Sequence, residues 1–343
     1  MTDLTLRIRP DKIASVCAPF SFGPYLNVRP APDCTEGSAI VGRVLTSRTT
    51  YGDLELTTGR ASKLVPGDII VGVLGNRAAL KGFSGRVPHT LASGDEIDLL
   101  NTGGVLGKSD GTMVGLGDPI RIEVLGTPLL NGEPAKLTEF ALRGGELPKI
   151  VPPTIAVVGT CMNSGKSTAA AVAIRHLWTI GKRIHAGKAT GVAAIRDPLA
   201  FRDHGAALTL SFLDCGVPST AYRTDVPALT RTLIHHLAED DPDAIVLELG
   251  DGLMGAYGVD EILADAALAA CFRGAIIAAN DVVGAVAAVR TLGELGIPVI
   301  GVTGPATDNV AGVAKLDSLG IPAANIMREP QVLCDLVSQA VEA

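Results

Sequence analysis

Gly159-Thr160-Cys161-Met162-Asn163-Ser164-Gly165-Lys166-Ser167-Thr168 follows directly on the apolar run Ile155-Ala156-Val157-Val158. The two stretches read as a buried strand, a loop and the first turn of a helix, a succession that decides the fold of the surrounding half of the chain. Small and glycyl residues let backbone N–H groups turn inward around a phosphate, and the helix that follows presents the positive end of its dipole. Gly159, Thr160, Asn163, Ser164, Gly165 and Thr168 are the candidate cradle positions; Lys166 has the reach for β and γ oxygens, and Ser167 the hydroxyl for Mg²⁺. The spacing is unusual: the position that commonly holds the first glycine is Thr160, and Gly159 stands one residue early. Alanines and aliphatics from 169 to 178 should continue the helix, with Gly181 as its stop. A plain Gly/Ser turn with a surface lysine is the alternative, and the strand before and helix after favour the phosphate reading.

Composition narrows the class. A chain of 343 residues has the length of two ordinary domains. With 47% hydrophobic residues and only 3% aromatics, the cores must be built from Ala, Val, Leu and Ile. A net charge of −7 and the lack of a basic face argue against nucleic acid as a partner. No uninterrupted apolar run reaches membrane-spanning length, and the opening Met1-Thr2-Asp3-Leu4-Thr5-Leu6-Arg7 lacks the pattern of a signal peptide. The expected compartment is the cytoplasm, with no membrane partner. Cys17, Cys34, Cys161, Cys215, Cys271 and Cys334 are dispersed, so neither a disulfide framework nor a zinc site is expected. Cys161 reads as a small loop filler, with a reactive thiol at a helix N-terminus as the rarer alternative.

Patterning divides the chain near residue 150. Before it, short apolar runs at 39–45, 54–56, 69–74, 97–100 and 120–125 alternate with turn signals. Three Gly-Asp turns, at Gly67-Asp68, Gly94-Asp95 and Gly117-Asp118, each feed a β-rich run, which predicts a small barrel or sandwich. The glycine-dense stretch 103–111 reads mainly as turns. The expected organisation is a β-rich domain over 1–143, a Gly/Pro linker over 144–153 and a second domain over 154–343.

In that second domain strands alternate with helices, the signature of a parallel sheet covered on both faces. Strands are expected at 155–158, 183–186, 244–248, 275–279 and 298–302, and helices at 227–239 and 282–295. Ligands of such sheets sit beyond the carboxyl ends of the strands. The run Asp243-Ala244-Ile245-Val246-Leu247-Glu248-Leu249-Gly250-Asp251-Gly252 places Glu248 at such an end, where it can bind Mg²⁺ or its waters, with Asp251 as a second candidate.

Taken together, the loop and the Glu248-Leu249-Gly250-Asp251-Gly252-Leu253 turn resemble the dethiobiotin synthetase-like branch of P-loop NTPases, over roughly the last 190 residues. The resemblance implies an α/β P-loop fold, ATP and Mg²⁺ as cofactors, and a homo-oligomer, most simply a dimer. It implies phosphate contacts for Lys166, metal contacts for Ser167 and Glu248, and a substrate and phosphate role for Lys188 at the end of the second strand. The chain departs from it at Cys161, where those enzymes carry a metal-binding aspartate.

Lys188 also reads as a solvated lysine after a strand. In Arg196-Asp197-Pro198-Leu199-Ala200-Phe201-Arg202-Asp203-His204, Arg196 and Arg202 could clamp an anion while Asp203 or His204 moves a proton, with surface ion pairing as the simpler role. His235-His236 lies on a helix with no other ligand type expected nearby, so a metal there is not anticipated. No Asn-Lys-x-Asp guanine motif accompanies Asn280-Asp281, which favours ATP over GTP.

The expected activity is ATP- and Mg²⁺-dependent phosphoryl transfer to a small anionic molecule, plausibly a carboxylate activated for amide or ring formation, with Lys166, Lys188 and Glu248 as the reacting centre. A nucleotide-switched regulator or chaperone, and a nucleotide-binding subunit without turnover, are the rival classes.

Overall fold

The computed structural model describes residues 5–343. Contacts divide the chain into two compact units. One takes in the chain up to Leu142 together with Val192–Arg196 and Phe212–Tyr222; the other comprises Arg143–Gly191, Asp197–Ser211 and Arg223–Ala343.

The first unit is a mainly antiparallel β structure whose sheet closes on itself. Ile120–Leu130 pairs with Ala39–Val44, which pairs with Ile69–Leu74. Ile69–Leu74 then pairs, in parallel, with Val105–Thr112. The short strand Glu96–Leu99 bonds to both Val105–Thr112 and Ile120–Leu130 and completes the ring. Closure removes the exposed strand edges and surrounds an aliphatic core that includes Ile40, Ile70, Leu106 and Ile122, all fully buried. Of the two expected β architectures the sheet therefore takes the barrel. The Gly-Asp turns have a local cause: Gly67, Gly94 and Gly117 sit at positive φ (96°, 92° and 73°). Asp68 and Asp95 accept the N–H groups of Val65 and Ala92.

The stretch 103–111 is a correction. Residues 105–112 are strand, and glycine is needed there for close approach: a Cβ on Gly107 would lie 2.8 Å from the Arg86 carbonyl oxygen. The two excursions are bonded into this unit by polar contacts that no periodicity announces. Glu55, almost fully buried, accepts the N–H of Ile195 at 2.7 Å. Asn101 donates to the Ala193 carbonyl at 2.7 Å, and Leu142 N–H to that of Asp214.

The second unit is an α/β fold with a six-stranded parallel sheet. Its strands are β1 (Thr154–Gly159), β2 (Ile184–Thr190), β3 (Leu208–Ser211), β4 (Ala244–Leu249), β5 (Phe272–Ala278) and β6 (Val299–Thr303). They are arranged β3-β2-β4-β1-β5-β6. The principal helices are α1 (Lys166–Thr179), α2 (Arg196–Asp203), α3 (Val226–Leu237), α4 (Val259–Ala264), α5 (Ala266–Ala269), α6 (Val282–Glu294), α7 (Val310–Asp317) and α8 (Pro330–Glu342). β1 and β4 are buried along their whole lengths, as central strands covered on both faces must be. The alanine face of α1 (Ala169, Ala170, Ala173) lets the helix lie close to this sheet, with Ile174, Leu177, Phe201 and Val337 in the same core. Gly181, at φ 86°, ends the turn after α1 as expected. β3, too short and too polar to show a strand pattern, was not anticipated. None of the helices among the described residues is long and apolar enough to cross a membrane.

Candidate phosphate-binding site

Strand order explains where the site falls. β1 lies between β4 and β5, with β2 beyond β4, so the carboxyl ends of β1, β2 and β4 emerge side by side. The loop leaves β1 at Gly159, where a side chain is excluded: a Cβ would stand 2.6 Å from Ser164 Oγ, 2.9 Å from Lys166 Cδ and 3.0 Å from the Ala278 carbonyl oxygen. This early glycine is what lets the loop fold back over its own strand, which gives the unusual spacing a physical purpose. Thr160 fixes the next corner, its hydroxyl accepting the N–H of Asn280 at 3.1 Å. Asn163 (φ 58°) and Gly165 (φ 98°) both take left-handed conformations, turning the chain into α1, which begins at Lys166. Asn163 and Thr168 are exposed, whereas Ser167 is half-buried.

Lys166 is 5% exposed, and its ammonium donates to the Cys161 carbonyl at 2.8 Å. Burial lowers its pKa, against the pull of the Glu248 charge. Glu248, on β4, is 2% exposed and lies in register with Val157 of β1 and Lys188 of β2. Burial raises its pKa, opposed by Lys188 and Lys166 and by a hydrogen bond from Ser167. Lys188 Nζ stands 3.6 Å from Glu248 Oε1 and makes a close ion pair with Asp197 near the start of α2. Ser164 Oγ and Glu248 Oε2 are buried with no hydrogen-bond partner among the described residues. Orphaned polar atoms of this kind are costly unless a ligand, ion or water completes them. Asp251 (φ 69°), half-buried, lies on the turn after β4. Its charge acts on Lys166.

The structure thus brings Lys166, Ser167, Lys188 and Glu248 together, with Asp251 beside them. Asp197 is the residue that sequence reasoning passed over. Its only sign was a carboxylate nine residues beyond the strand-end Lys188, hidden in a run of mixed charge. Two other polar residues of that run are occupied elsewhere: Arg202 reaches Thr209 at 3.4 Å, and His204 Nδ1 bonds the Ala200 carbonyl at 2.7 Å. Asp281 accepts the N–H of Gly284 as the cap of α6.

Gly250, in the turn after Glu248, permits no side chain either, since a Cβ would lie 2.2 Å from the Thr190 carbonyl oxygen. Gly250→Ala should cost about 1–3 kcal/mol of stability by overpacking and misplace Glu248. Urea unfolding of the variant checks the first effect.

No protein-family model matches the chain, and no curated protein matches it in sequence. Among solved structures, it is similar to a chloroplast FtsY from Physcomitrella patens, with 16% identity over 59% of this chain and 70% of that one and a TM-score of 0.38. A DUF1611 family protein from Anabaena variabilis is similar at 14% identity over 60% of this chain, with a TM-score of 0.41; 63% of its own length is covered, less than two thirds. A nucleotide-binding protein from Archaeoglobus fulgidus, in complex with ADP, is similar at 13% identity over 55% of this chain and 88% of that one, with a TM-score of 0.36.

Proposed function

We propose that the chain is an ATP- and Mg²⁺-dependent enzyme that transfers the γ-phosphoryl group to a small anionic metabolite, activating a carboxylate as an acyl phosphate. The observation that carries this reading is the meeting of Lys166, Ser167, Lys188 and Glu248 at one corner of the sheet, with Glu248 Oε2 and Ser164 Oγ buried and unpartnered. A switch or binding protein needs the phosphate loop. It does not need a second, half-buried lysine, placed at the neighbouring strand end and held between two carboxylates.

In this reading the loop N–H groups and Lys166 hold the nucleotide phosphates and neutralise charge on the transferred group. Ser167 and Glu248 would hold Mg²⁺, with Asp251 next to them; the ion would screen phosphate charge. The donor set fits a hard cation: one hydroxyl and carboxylate oxygens, one of them unsatisfied. Lys188 orients the anionic acceptor, and Asp197 positions Lys188. The dethiobiotin synthetase-like branch, a cytoplasmic setting and a homodimer belong to the same proposal. Cys161, in place of that branch's loop aspartate, leaves Glu248 as the principal metal carboxylate.

Measuring ADP release by the pure protein against a panel of small carboxylates and amines tests it. Stimulation by an acceptor, with phosphate appearing on the product, is the expected result; nucleotide turnover indifferent to every acceptor would favour a switch.

A further inference from the structure

The C-terminal end of α3 carries a group of side chains that the phosphate site does not use. We propose that His235, His236 and Glu239 form a binding site for a divalent transition metal of the zinc type. The sequence reading set metal binding aside here for want of a third ligand. The structure supplies one: Glu239, in the turn after α3, folds back so that one ligand atom from each of the three residues lies within 4.8 Å of the other two.

Hydrogen bonds around the two rings select the tautomers that such a site requires. His236 Nε2 faces the Arg143 carbonyl oxygen at 3.1 Å, and its Nδ1 faces Glu239 Oε1 at 2.8 Å. A carbonyl only accepts, so Nε2 carries the proton and a neutral ring presents the Nδ1 lone pair to a carboxylate oxygen. Two acceptors face to face must share a cation, either a proton or a metal ion. His235 Nδ1 faces the Glu146 carbonyl oxygen at 2.9 Å, which likewise leaves Nε2 as the free lone pair of its neutral ring. With an ion on Nδ1 of His236 and Nε2 of His235, each histidine would have the arrangement found in metal sites, in which the non-ligating N–H donates to a backbone carbonyl that fixes the ring. Neighbouring donors in a tetrahedral shell at about 2.0–2.2 Å stand about 3.3–3.6 Å apart, so the 2.8 Å contact of His236 Nδ1 with Glu239 Oε1 would open by roughly 0.5–0.8 Å to admit the ion.

Two further features fit a cation. Both histidines occupy the last turn of α3, where the helix dipole is negative. Gly145 leaves room for the chain to lie against the His235 ring, because a Cβ there would fall 2.2 Å from the ring's Cγ. Both carbonyl partners, of Arg143 and Glu146, lie in the segment at the start of the second unit, so a metal on the rings would fasten residues 143–146 to α3. Two imidazoles and one carboxylate select zinc-like ions over Mg²⁺ or Ca²⁺, with water completing the shell.

The test is titration of the metal-free full-length protein with Zn²⁺ by calorimetry and with Co²⁺ by visible absorption. One equivalent should bind. Affinity should fall at least 100-fold in His235→Ala and His236→Ala, and at least tenfold in Glu239→Gln, whose exposed side chain makes it the variant least able to disturb folding. The Co²⁺ spectrum should show d–d bands without thiolate-to-cobalt charge transfer. Hydrogen exchange across residues 143–147 should slow on Zn²⁺ addition. The site is overturned if the wild type binds no equivalent, if Glu239→Gln and the double histidine variant bind as tightly as the wild type, or if charge-transfer bands put the ion on a cysteine. A wild type without metal affinity would mean that the His236–Glu239 contact is a protonated ion pair.

Discussion

Replacing Lys166 by alanine is expected to weaken ATP binding by about 10–150-fold, the equivalent of a charge-assisted hydrogen bond of about 1.5–3 kcal/mol, and to bring turnover below detection. Lys166 is almost fully buried, and its ammonium donates to the neutral Cys161 carbonyl. Phosphate oxygens would replace a single neutral acceptor with charged ones, so the group's contribution is realised mainly on binding. The fold should survive. Burial lowers the Lys166 pKa, meaning that the folded chain disfavours the cation, and the variant is relieved of that cost. Calorimetric titration with a non-hydrolysable ATP analogue, beside a thermal unfolding curve, measures both effects. Equal affinity in the variant would remove the nucleotide assignment.

Glu248→Gln should abolish Mg²⁺-dependent turnover while retaining a weakened, Mg²⁺-insensitive affinity for nucleotide, because it removes a metal-directed charge at nearly constant volume. It should also stabilise the ligand-free protein near neutral pH. The folded-state pKa of Glu248 is raised, chiefly by burial, so the wild type bears a cost wherever the unfolded chain would be ionised and the folded chain resists it. That cost is absent below the ordinary glutamate range and grows as pH rises through it toward the folded value. The stability gap between variant and wild type should therefore be present at neutral pH and close on acidification. Urea midpoints at several pH values, without Mg²⁺, follow the gap. Unchanged Mg²⁺ dependence would transfer the metal to Asp251.

Much of this was legible from residue patterns. β1, the loop and α1 are local: an apolar run, small residues with a lysine, and an alanine-rich helix follow one another in sequence, and each favours the same outcome. The placing of Glu248 near the end of β4 was legible for the same reason, since it closes a continuous apolar run. The barrel's closure was not, because it depends on Glu96–Leu99 bonding two partners at once. The strand at 105–112 was hidden by Gly107 and Gly111, the first of which has no side chain because the Arg86 carbonyl, distant in sequence, lies against it. Asp197 and Glu239 escaped for a related reason. A carboxylate among mixed charges looks solvated until the fold shows what it faces, here Lys188 in one case and His236 in the other.

The most direct test of the central claim is equilibrium binding of ATP to the full-length protein with and without Mg²⁺. The account predicts one nucleotide per chain, bound more tightly with Mg²⁺, with the Mg²⁺ effect lost in Glu248→Gln and affinity weakened about 10–150-fold in Lys166→Ala. Failure of the folded wild-type protein to bind ATP at millimolar concentration, with or without Mg²⁺, would contradict it.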